Sequence, residues 1–366
     1  MASLLCIDFR NHKNRPKLWT NAIITTLMLI LGTYSMLHNI RTSLSVKHIT
    51  AEISAQLLVI LWAFQSIISL MFFIYWQFFG HLSTFRHKLR QCQNYEGLLS
   101  ERAKHAVRQS NFYFYFIILS ICFINTAFSI KYYTESQHSE FKKKQATMFY
   151  YSELRPIYAA VTTYLYLVWN ITLFVMIHYT NATYHEVCYF NKCIDEFDGN
   201  TEETNQQLLH YLETYSKLCS VIRFLDQIFR LYAFIMIVIT VPSMILTLMM
   251  LNHRIHSIKD FLVCFPTIAL CVFSFFAVTI APARLHDEIC RSKGFLCQNR
   301  SVWFPYRKET YIIANTLTSH MEQFDLGVSV WGFALLSRPL ILGTLSVTMM
   351  MLGLIIEVAP KTDLLQ

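Results

Sequence analysis

Long runs of apolar residues, separated by polar segments, dominate the pattern along this chain. A helix needs about twenty apolar residues to cross the ~30 Å hydrocarbon core of a bilayer, and its backbone groups must be paired within the segment itself. Seven runs reach that length, and none alternates like a membrane β-strand. They cover residues 18–38, 54–80, 112–133, 157–180, 229–251, 260–282 and 331–357. The pattern predicts an all-α membrane protein, a single domain over residues 1–366 with seven transmembrane helices.

Two of the polar segments carry apolar residues at helical spacing and predict helices outside the membrane. The first covers residues 195–228, leads without a break into the fifth run, and offers an Asn or Thr cap between Asn200 and Thr204. The second covers residues 309–326 and precedes the last run. We expect long cytosolic helical extensions that pack together as an anchor below the membrane.

The distribution of Lys and Arg predicts the orientation of the chain. With the N-terminus inside, twenty of the 31 basic residues fall in inner segments and ten in outer segments, while Arg338 lies inside the last run. The strongest local signal is HLSTFRHKLRQ, directly after the second run, whereas the run Lys142–Lys144 points the other way. The balance predicts an N-terminus inside, a C-terminus outside and a multi-pass protein of the plasma membrane.

Composition supports the membrane interpretation and excludes other classes. Apolar residues make up 54% of the chain and charged residues only 15%, whereas a soluble domain carries about a quarter charged residues. The net charge of +8 is explained by basic membrane flanks, so the lipid bilayer is an expected partner and nucleic acid is not. The ten cysteines predict no disulfide framework in the cytosol, and the spacing of Cys188 and Cys193 is not that of a zinc site.

Enzyme chemistry finds no support in the sequence. It contains no Gly-rich phosphate loop, GxSxG elbow or HExxH pair. His253 and His256 lie in a short loop, where solvation is a simpler interpretation than a metal. We expect no catalytic residues, no metal and no cofactor. The first six runs contain almost no charge, which disfavours a proton-coupled transporter.

A G-protein-coupled receptor is the alternative that seven helices raise. Its N-terminus would lie outside, opposite to the charge distribution, and the chain has neither a DRY sequence after the third run nor an NPxxY sequence in the last. Three glycosylation sequons occur, at Asn170 within a run and at Asn181 and Asn299 in inner segments. A glycan on Asn181 or Asn299 would support the reversed topology.

The last run combines features that resemble the insect gustatory and odorant receptor superfamily. A cytosolic helix leads through the step Gly332–Phe333 into a final span with Arg338 and Pro339 near its inner end. The gustatory branch usually closes this span with Thr-Tyr, five apolar residues and Gln-Phe. Here Thr348 matches the first position, but Met349 replaces the Tyr and Ile355–Ile356 stand in place of Gln-Phe. The chain resembles a divergent gustatory-receptor-like member.

This resemblance implies a chemosensory receptor subunit that acts as a ligand-gated cation channel. In that family four subunits surround one pore lined by the last span of each, so a homo- or hetero-tetramer is expected. Apolar side chains would close the pore by dewetting, and a ring of Glu357 would favour cations. Small residues also allow close helix packing in lipid, which is the alternative interpretation. The pore-lining candidates are Ser346, Met350, Gly353, Ile356 and Glu357.

The resemblance also implies a small-molecule ligand held between the outer halves of spans two to six. Aromatic rings with a few polar groups suit a small apolar or amphipathic ligand, although core packing and an interfacial aromatic belt explain the same residues. A non-conducting relative with another membrane role is the alternative function, because the closing motif is degraded. The ligand-pocket candidates are Trp62, Gln65, Phe128, Tyr132, Tyr158, Thr162, Tyr166 and Phe265.

Overall fold

Helices account for almost all of the backbone that the structure describes. A computed structural model describes residues 15–44, 51–93, 112, 155–199, 203–254, 258–322 and 325–358. One short antiparallel pair, β1 (Ser329–Val330) and β2 (Ala334–Leu335), interrupts the helices before the last one. The helices are α1 (Arg15–Leu44), α2 (Ala51–Phe78), α3 (His81–Gln93), α4 (Arg155–Asp195), α5 (Thr204–Arg254), α6 (Ile258–Gln298), α7 (Arg300–Trp303), α8 (Lys308–Met321) and α9 (Arg338–Val358).

Four of the described helices are long and apolar enough to cross a membrane. They contain the stretches Trp19–Arg41, Gln56–Phe78, Ala160–Asp195 and Thr204–Met249. The predicted run 260–282 forms part of α6, and α9 contains a shorter apolar stretch. The predicted run 112–133 lies outside the described residues, apart from position 112. The protein is an all-α membrane protein.

Helix α5 carries the chain from the polar segment into the apolar run without interruption. It contains 51 residues, with Pro242 in its interior. Its start at Thr204 corrects the predicted start near residue 195, because α4 continues to Asp195 and a turn must follow before the chain can reverse. The Thr204 hydroxyl donates to the carbonyl oxygen of Gly199 at 2.9 Å, which holds this turn closed.

The last helix begins at Arg338, which corrects the predicted span of 331–357. The preceding residues form a β-hairpin, in which Trp331 and Gly332 have φ values of 53° and 81° and the amide of Phe333 donates to the carbonyl of Val330 at 3.0 Å. Two consecutive positive φ values define a type I′ turn, which no right-handed helix can contain. Pro339 then stands in the first turn of α9, where its missing N–H has no helical partner to lose. The predicted helix 309–326 likewise corresponds to the shorter α8.

An aromatic cluster holds the centre of the bundle together. The Trp76 ring of α2 lies 4.8 Å from Phe229 and 5.3 Å from Tyr232 of α5, measured between centroids and nearly perpendicular. The Tyr232 hydroxyl is 3.2 Å from the Ser69 hydroxyl, so this buried phenol is paired. The apolar core continues into the polar extension of the bundle, formed by the less apolar parts of α4 to α6 together with α8. It includes Leu208, Leu225, Leu317 and Val328, each at most 1% exposed.

Candidate functional site

A buried amide on α2 joins this helix to α5 in the middle of the bundle. The Gln65 side chain is 1% exposed, and its Nε2 donates to Met236 Sδ and to Thr240 Oγ1, each at 3.3 Å. One turn earlier, the Trp62 ring meets the edge of Tyr166 on α4, with centroids 5.9 Å apart. The structure therefore brings the candidates Trp62, Gln65 and Tyr166 together on facing helices.

The other ligand-pocket candidates are only partly described. Thr162 is half-buried one turn before Tyr166 on the same helix, α4. Tyr158 lies in α4 and Phe265 in α6, but their side chains are outside the described residues, as are Phe128 and Tyr132 altogether. The described part of the candidate site is thus built from α2, α4 and α5.

The sequence interpretation missed the contribution of α5 to this site. Met236 and Thr240 are one turn apart on α5 and both are buried. A methionine and a threonine inside a long apolar run give no pattern that separates them from lipid-facing or core residues. A buried polar contact one layer further out, between the Thr247 hydroxyl and the Cys271 thiol at 3.3 Å, was missed for the same reason.

The pore-lining candidates lie on the last helix, α9. Ser346, Met350 and Gly353 follow one another at spacings of four and three residues and are all exposed, which places them on one face. Thr348, on the opposite side, is 1% exposed and its hydroxyl donates to the Thr344 carbonyl at 2.7 Å. Helix α9 lies against α5 and α6. Since Thr348 is buried and the residues opposite it are exposed, the Ser346 face is left open.

The exposed surface of α9 extends beyond these three candidates. Leu342, Val347 and Met349 are more than half exposed as well, so the helix is covered on one side only. Ile356 and Glu357 belong to α9, but their side chains lie outside the described residues. The open surface combines small residues with flexible apolar side chains, which suits contact with lipid, with a second helix or with a narrow pore.

An ion pair and two hydrogen bonds join the start of α9 and the hairpin before it to α6 and α5. Arg338 Nε lies 2.5 Å from Asp287 Oδ2 of α6. The carboxylate side chain of Asp226 on α5 accepts hydrogen bonds from the backbone N–H and the hydroxyl of Ser329, at 2.6 and 2.7 Å. Burial and the nearby Asp287 carboxylate together raise the pKa of the Cys290 thiol. The entry to the last helix is thus fixed to both α5 and α6.

A second polar cluster joins α4 to α6 inside the polar extension of the bundle. Asn191 Nδ2 donates to the carboxylate of Glu288 at 2.9 Å and to its carbonyl oxygen at 3.0 Å. The Ser292 hydroxyl donates to Asn191 Oδ1 at 2.6 Å. All three side chains are less than 10% exposed, and because each bond needs specific geometry, the cluster fixes the register of the two helices.

In two of the three glycosylation sequons, the side-chain amide of the asparagine is hydrogen-bonded within the protein. Asn299 Nδ2 donates to the carbonyl oxygens of Ile194 and Phe197, each at 2.9 Å. Asn170 is 1% exposed and its Nδ2 donates to the Tyr166 carbonyl at 2.8 Å. A glycan must be attached through this nitrogen, so neither asparagine can carry one in this structure. Asn299 is therefore excluded as a marker of a reversed topology, and of the two predicted markers Asn181 remains.

Comparison with known proteins identifies the fold. No protein-family model and no curated protein sequence matches the chain. Among solved structures, it is similar to the insect olfactory receptor OR5 from Machilis hrabei in complex with eugenol, with a TM-score of 0.69, 12% sequence identity, and coverage of 95% of this chain and 92% of that chain. The structure of the same receptor described without eugenol gives a TM-score of 0.63 at 11% identity and the same coverage.

These similarities extend over nearly the whole length of both chains, so they concern the complete bundle and its polar extension. At 12% identity they are a likeness of architecture, and side-chain chemistry must be argued from this chain. The resemblance derived from Gly332–Phe333 and from the long inner helices is confirmed at the level of fold. The chain has the fold of this insect olfactory receptor.

Proposed function

We propose that this protein is a chemosensory receptor subunit, gustatory-receptor-like, that forms a tetrameric cation channel in the plasma membrane and opens when a small molecule binds. The observation that carries the proposal is the last helix, α9, which packs along one side and leaves Ser346, Met350 and Gly353 on an open face. A helix of this kind is incomplete as a monomer. Four copies around an axis would place that face towards a shared pore.

The ligand would lie between α2, α4 and α5. The bound eugenol named for the similar receptor is a small aromatic molecule with polar oxygens, and the same chemistry fits Trp62, Tyr166 and Gln65. Rings would stack on the ligand or meet its edge, while the Gln65 amide, which already bonds to Thr240, offers both a donor and an acceptor. Ligand binding would displace the contact between Gln65 and α5. Because α5 continues into the cytosol, its movement would be passed to the base of α9 through the hydrogen bonds between Asp226 and Ser329.

Current recordings with cysteine variants of α9 test this proposal. The full-length chain would be expressed at the cell surface and challenged with a panel of small aromatic and amphipathic compounds that includes eugenol. We expect Ser346→Cys and Met350→Cys to become sensitive to a charged thiol reagent applied from outside. Thr348→Cys is the matched control, because its side chain is buried against the bundle and should stay insensitive.

The alternative function, a non-conducting relative, predicts a different result. A surface-expressed protein that gives no current, with or without the compounds, would contradict the channel. Equal reactivity of cysteines at 346, 348 and 350 would contradict the assignment of the pore face. Small residues would then serve close helix packing in the membrane.

Epitope tags test the proposed orientation independently of conduction. We expect an antibody added to intact cells to reach a tag after Gln366 and not a tag at Met1. Asn181 is the sequon to examine for a glycan at the same time. Access to the N-terminal tag alone, or a glycan on Asn181, would reverse the topology and remove the basis for the pore residues.

A further inference from the structure

Three helices change from polar to apolar sequence at arginines that the fold brings to one level. After Arg230, α5 has no charged residue until Arg254, and α6 has none between Asp260 and Arg284. In α9 the residues after Arg338 are uncharged as far as Glu357. Charged side chains avoid the hydrocarbon core, and arginines collect at its inner edge. These arginines therefore mark the cytosolic boundary of the membrane on three helices.

The hairpin before α9 lies at this boundary. The backbone N–H of Trp331 donates to the carbonyl oxygen of Arg230 at 3.3 Å. On the other side, Arg338 follows β2 by three residues and contacts Asp287, which lies one turn after the boundary residue Arg284. The hairpin is thus held at the height where lipid headgroups meet the hydrocarbon core.

The base of the hairpin is buried and its tip is exposed. Val328 and Leu336 are at most 1% exposed, and they are joined by a hydrogen bond from the Leu336 amide to the Val328 carbonyl at 2.9 Å. At the tip, Trp331 is 52% and Phe333 is 82% exposed. The Trp331 ring rests against Phe234, with centroids 4.9 Å apart. Two large rings are therefore presented outward on a fixed support.

The conformation of Trp331 indicates that this presentation is imposed by the fold. Its φ of 53° lies in the left-handed region, which asparagine and glycine adopt readily and tryptophan does not. The contacts with Arg230 and Phe234 and the bond from the Gly332 amide to Ser329 Oγ at 3.0 Å hold it there. Backbone strain that is maintained by surrounding contacts is concentrated at functional sites.

We propose that the hairpin tip, Trp331 with Phe333, is a membrane-interface anchor that inserts both rings into the inner leaflet beside acidic lipid headgroups. Tryptophan is enriched at that depth because its ring is apolar and its N–H is polar. Arg230 and Arg338 are exposed on either side of the tip and would pair with anionic headgroups. The bilayer thereby holds the segment that sets the start of α9, so lipid composition acts on the last helix directly. This inference requires that α5, α6 and α9 cross the membrane, and it does not require that the protein conducts ions.

Photocrosslinking from the tip tests the proposal. The full-length chain, with p-benzoylphenylalanine in place of Phe333, would be reconstituted in vesicles of phosphatidylcholine and phosphatidylserine and irradiated. The same group in place of Val238, exposed in the middle of the apolar stretch of α5, is the positive control. Tyr306, 68% exposed beside α8 in the cytosolic extension, gives the matched control outside the membrane.

We expect lipid adducts at position 333 to exceed those at position 306 by about tenfold, as for a residue at the membrane interface. Predominant crosslinks between two copies of the chain at position 333 would overturn the proposal and assign the tip to a subunit interface. Adducts no more frequent than at position 306, while position 238 is labelled, would overturn it in favour of an aqueous location.

Fluorescence gives a second readout that does not depend on the crosslinker. The difference between the spectra of the unmodified protein and its Trp331→Phe variant isolates Trp331. We expect this difference to be quenched by lipids brominated near the headgroup end of their chains. Trp303→Phe is the control, because the Trp303 indole donates to the Leu296 carbonyl at 3.0 Å within the cytosolic extension. Equal quenching at the two positions would contradict insertion of the tip.

Discussion

The Asp226 carboxylate on α5 accepts two hydrogen bonds from Ser329 at the start of the hairpin. One comes from the backbone N–H at 2.6 Å and the other from the hydroxyl at 2.7 Å. Both bonds end on the same carboxylate oxygen, and one of them satisfies a backbone N–H. The contact joins the long helix to the segment that leads into α9. Together with the hydrogen bond from the Trp331 N–H to the Arg230 carbonyl, it links the helix that carries Met236 and Thr240 to the last helix.

Asp226→Ala should lower the free energy of unfolding by about 2 kcal/mol, because two hydrogen bonds to a charged acceptor are lost and the Ser329 N–H is left without an acceptor. The apparent midpoint of thermal unfolding in detergent would measure the change. Asp325→Ala, at an exposed carboxylate nearby, should alter stability by no more than about 0.5 kcal/mol. Equal midpoints for the two variants would contradict the structural role of Asp226.

Removal of the amide that joins α4 to α6 should be more costly than removal of the neighbouring hydroxyl. Asn191→Ala deprives the buried Glu288 of two hydrogen bonds and should cost about 3 kcal/mol. Ser292→Ala removes the bond to Asn191 and a long bond to the Glu288 carbonyl at 3.5 Å, and it should cost about 1 kcal/mol because both bonds are between uncharged groups. Denaturation of the full-length protein in parallel would rank the variants. Lys192→Ala is the control, since its ion pair with Glu196 is exposed. The reverse ranking would show that the cluster does not depend on Asn191.

Two glycine-to-alanine substitutions should have opposite effects. An added Cβ at Gly199 would collide with the carbonyl oxygen of Ser301, whereas one at Gly294 would meet no atom. Gly199→Ala should therefore destabilise the protein by about 1–3 kcal/mol through overpacking. Gly294→Ala, inside helix α6, should stabilise it by about 1 kcal/mol. Thermal unfolding measures both, and a tolerated alanine at position 199 would contradict the close approach of these two turns.

The reactivity of Cys92 should depend on pH in a way that reflects its surroundings. Burial, and then the charge of Glu186, raise the pKa of its thiol to about 11. A raised thiol pKa means less thiolate at a given pH, so alkylation should stay slow at neutral pH and accelerate until about pH 11. Mass spectrometry of timed iodoacetamide reactions measures the rate. Glu186→Gln should lower the pKa and speed the reaction, and an unchanged profile would contradict the predicted influence of Glu186.

Substitutions at the buried amide should change ligand sensitivity more than stability, if the proposed function holds. Gln65→Leu and Thr240→Val each remove one side of the same hydrogen bond. We expect each to shift the half-maximal ligand concentration by about threefold, corresponding to roughly 0.6 kcal/mol for a hydrogen bond between membrane helices. Because the Thr240 hydroxyl acts through Gln65, the double variant should shift this concentration no further than Gln65→Leu alone. Thr316→Val, at an exposed hydroxyl on α8, should have no effect in the same dose–response recordings.

Hydrophobic periodicity predicted the continuity of α5 but not the hairpin before α9. Periodicity persists from Leu208 to the apolar run, so one helix is the simplest solution. Residues 328–336 are almost entirely apolar, and apolarity alone does not distinguish a strand, a turn and a helix. The turn depends on the φ values of Trp331 and Gly332, and only Gly332 has a residue type that suggests one.

The candidate site was predictable where a residue type stood out from its run. Gln65 is a polar amide in an apolar helix, which marks it for burial against a partner. Its partners Met236 and Thr240 do not stand out, because which face of α5 meets α2 depends on packing between helices. The open face of α9 was likewise found from the spacing of Ser346 and its neighbours, whereas the side that packs against α5 became evident only from the fold.

The unbroken length of α5 has a mechanical consequence. At about 1.5 Å per residue, the 38 residues from Thr204 to Val241 form a rod of roughly 57 Å that contains no proline. A tilt of this rod by about 5° about Arg230 moves its Thr204 end by some 3 Å in the direction opposite to the other half. A displacement of about 1 Å near Gln65 is thus enlarged at Thr204, because the Gln65 contacts at Met236 and Thr240 lie before Pro242, where a proline bend would occur.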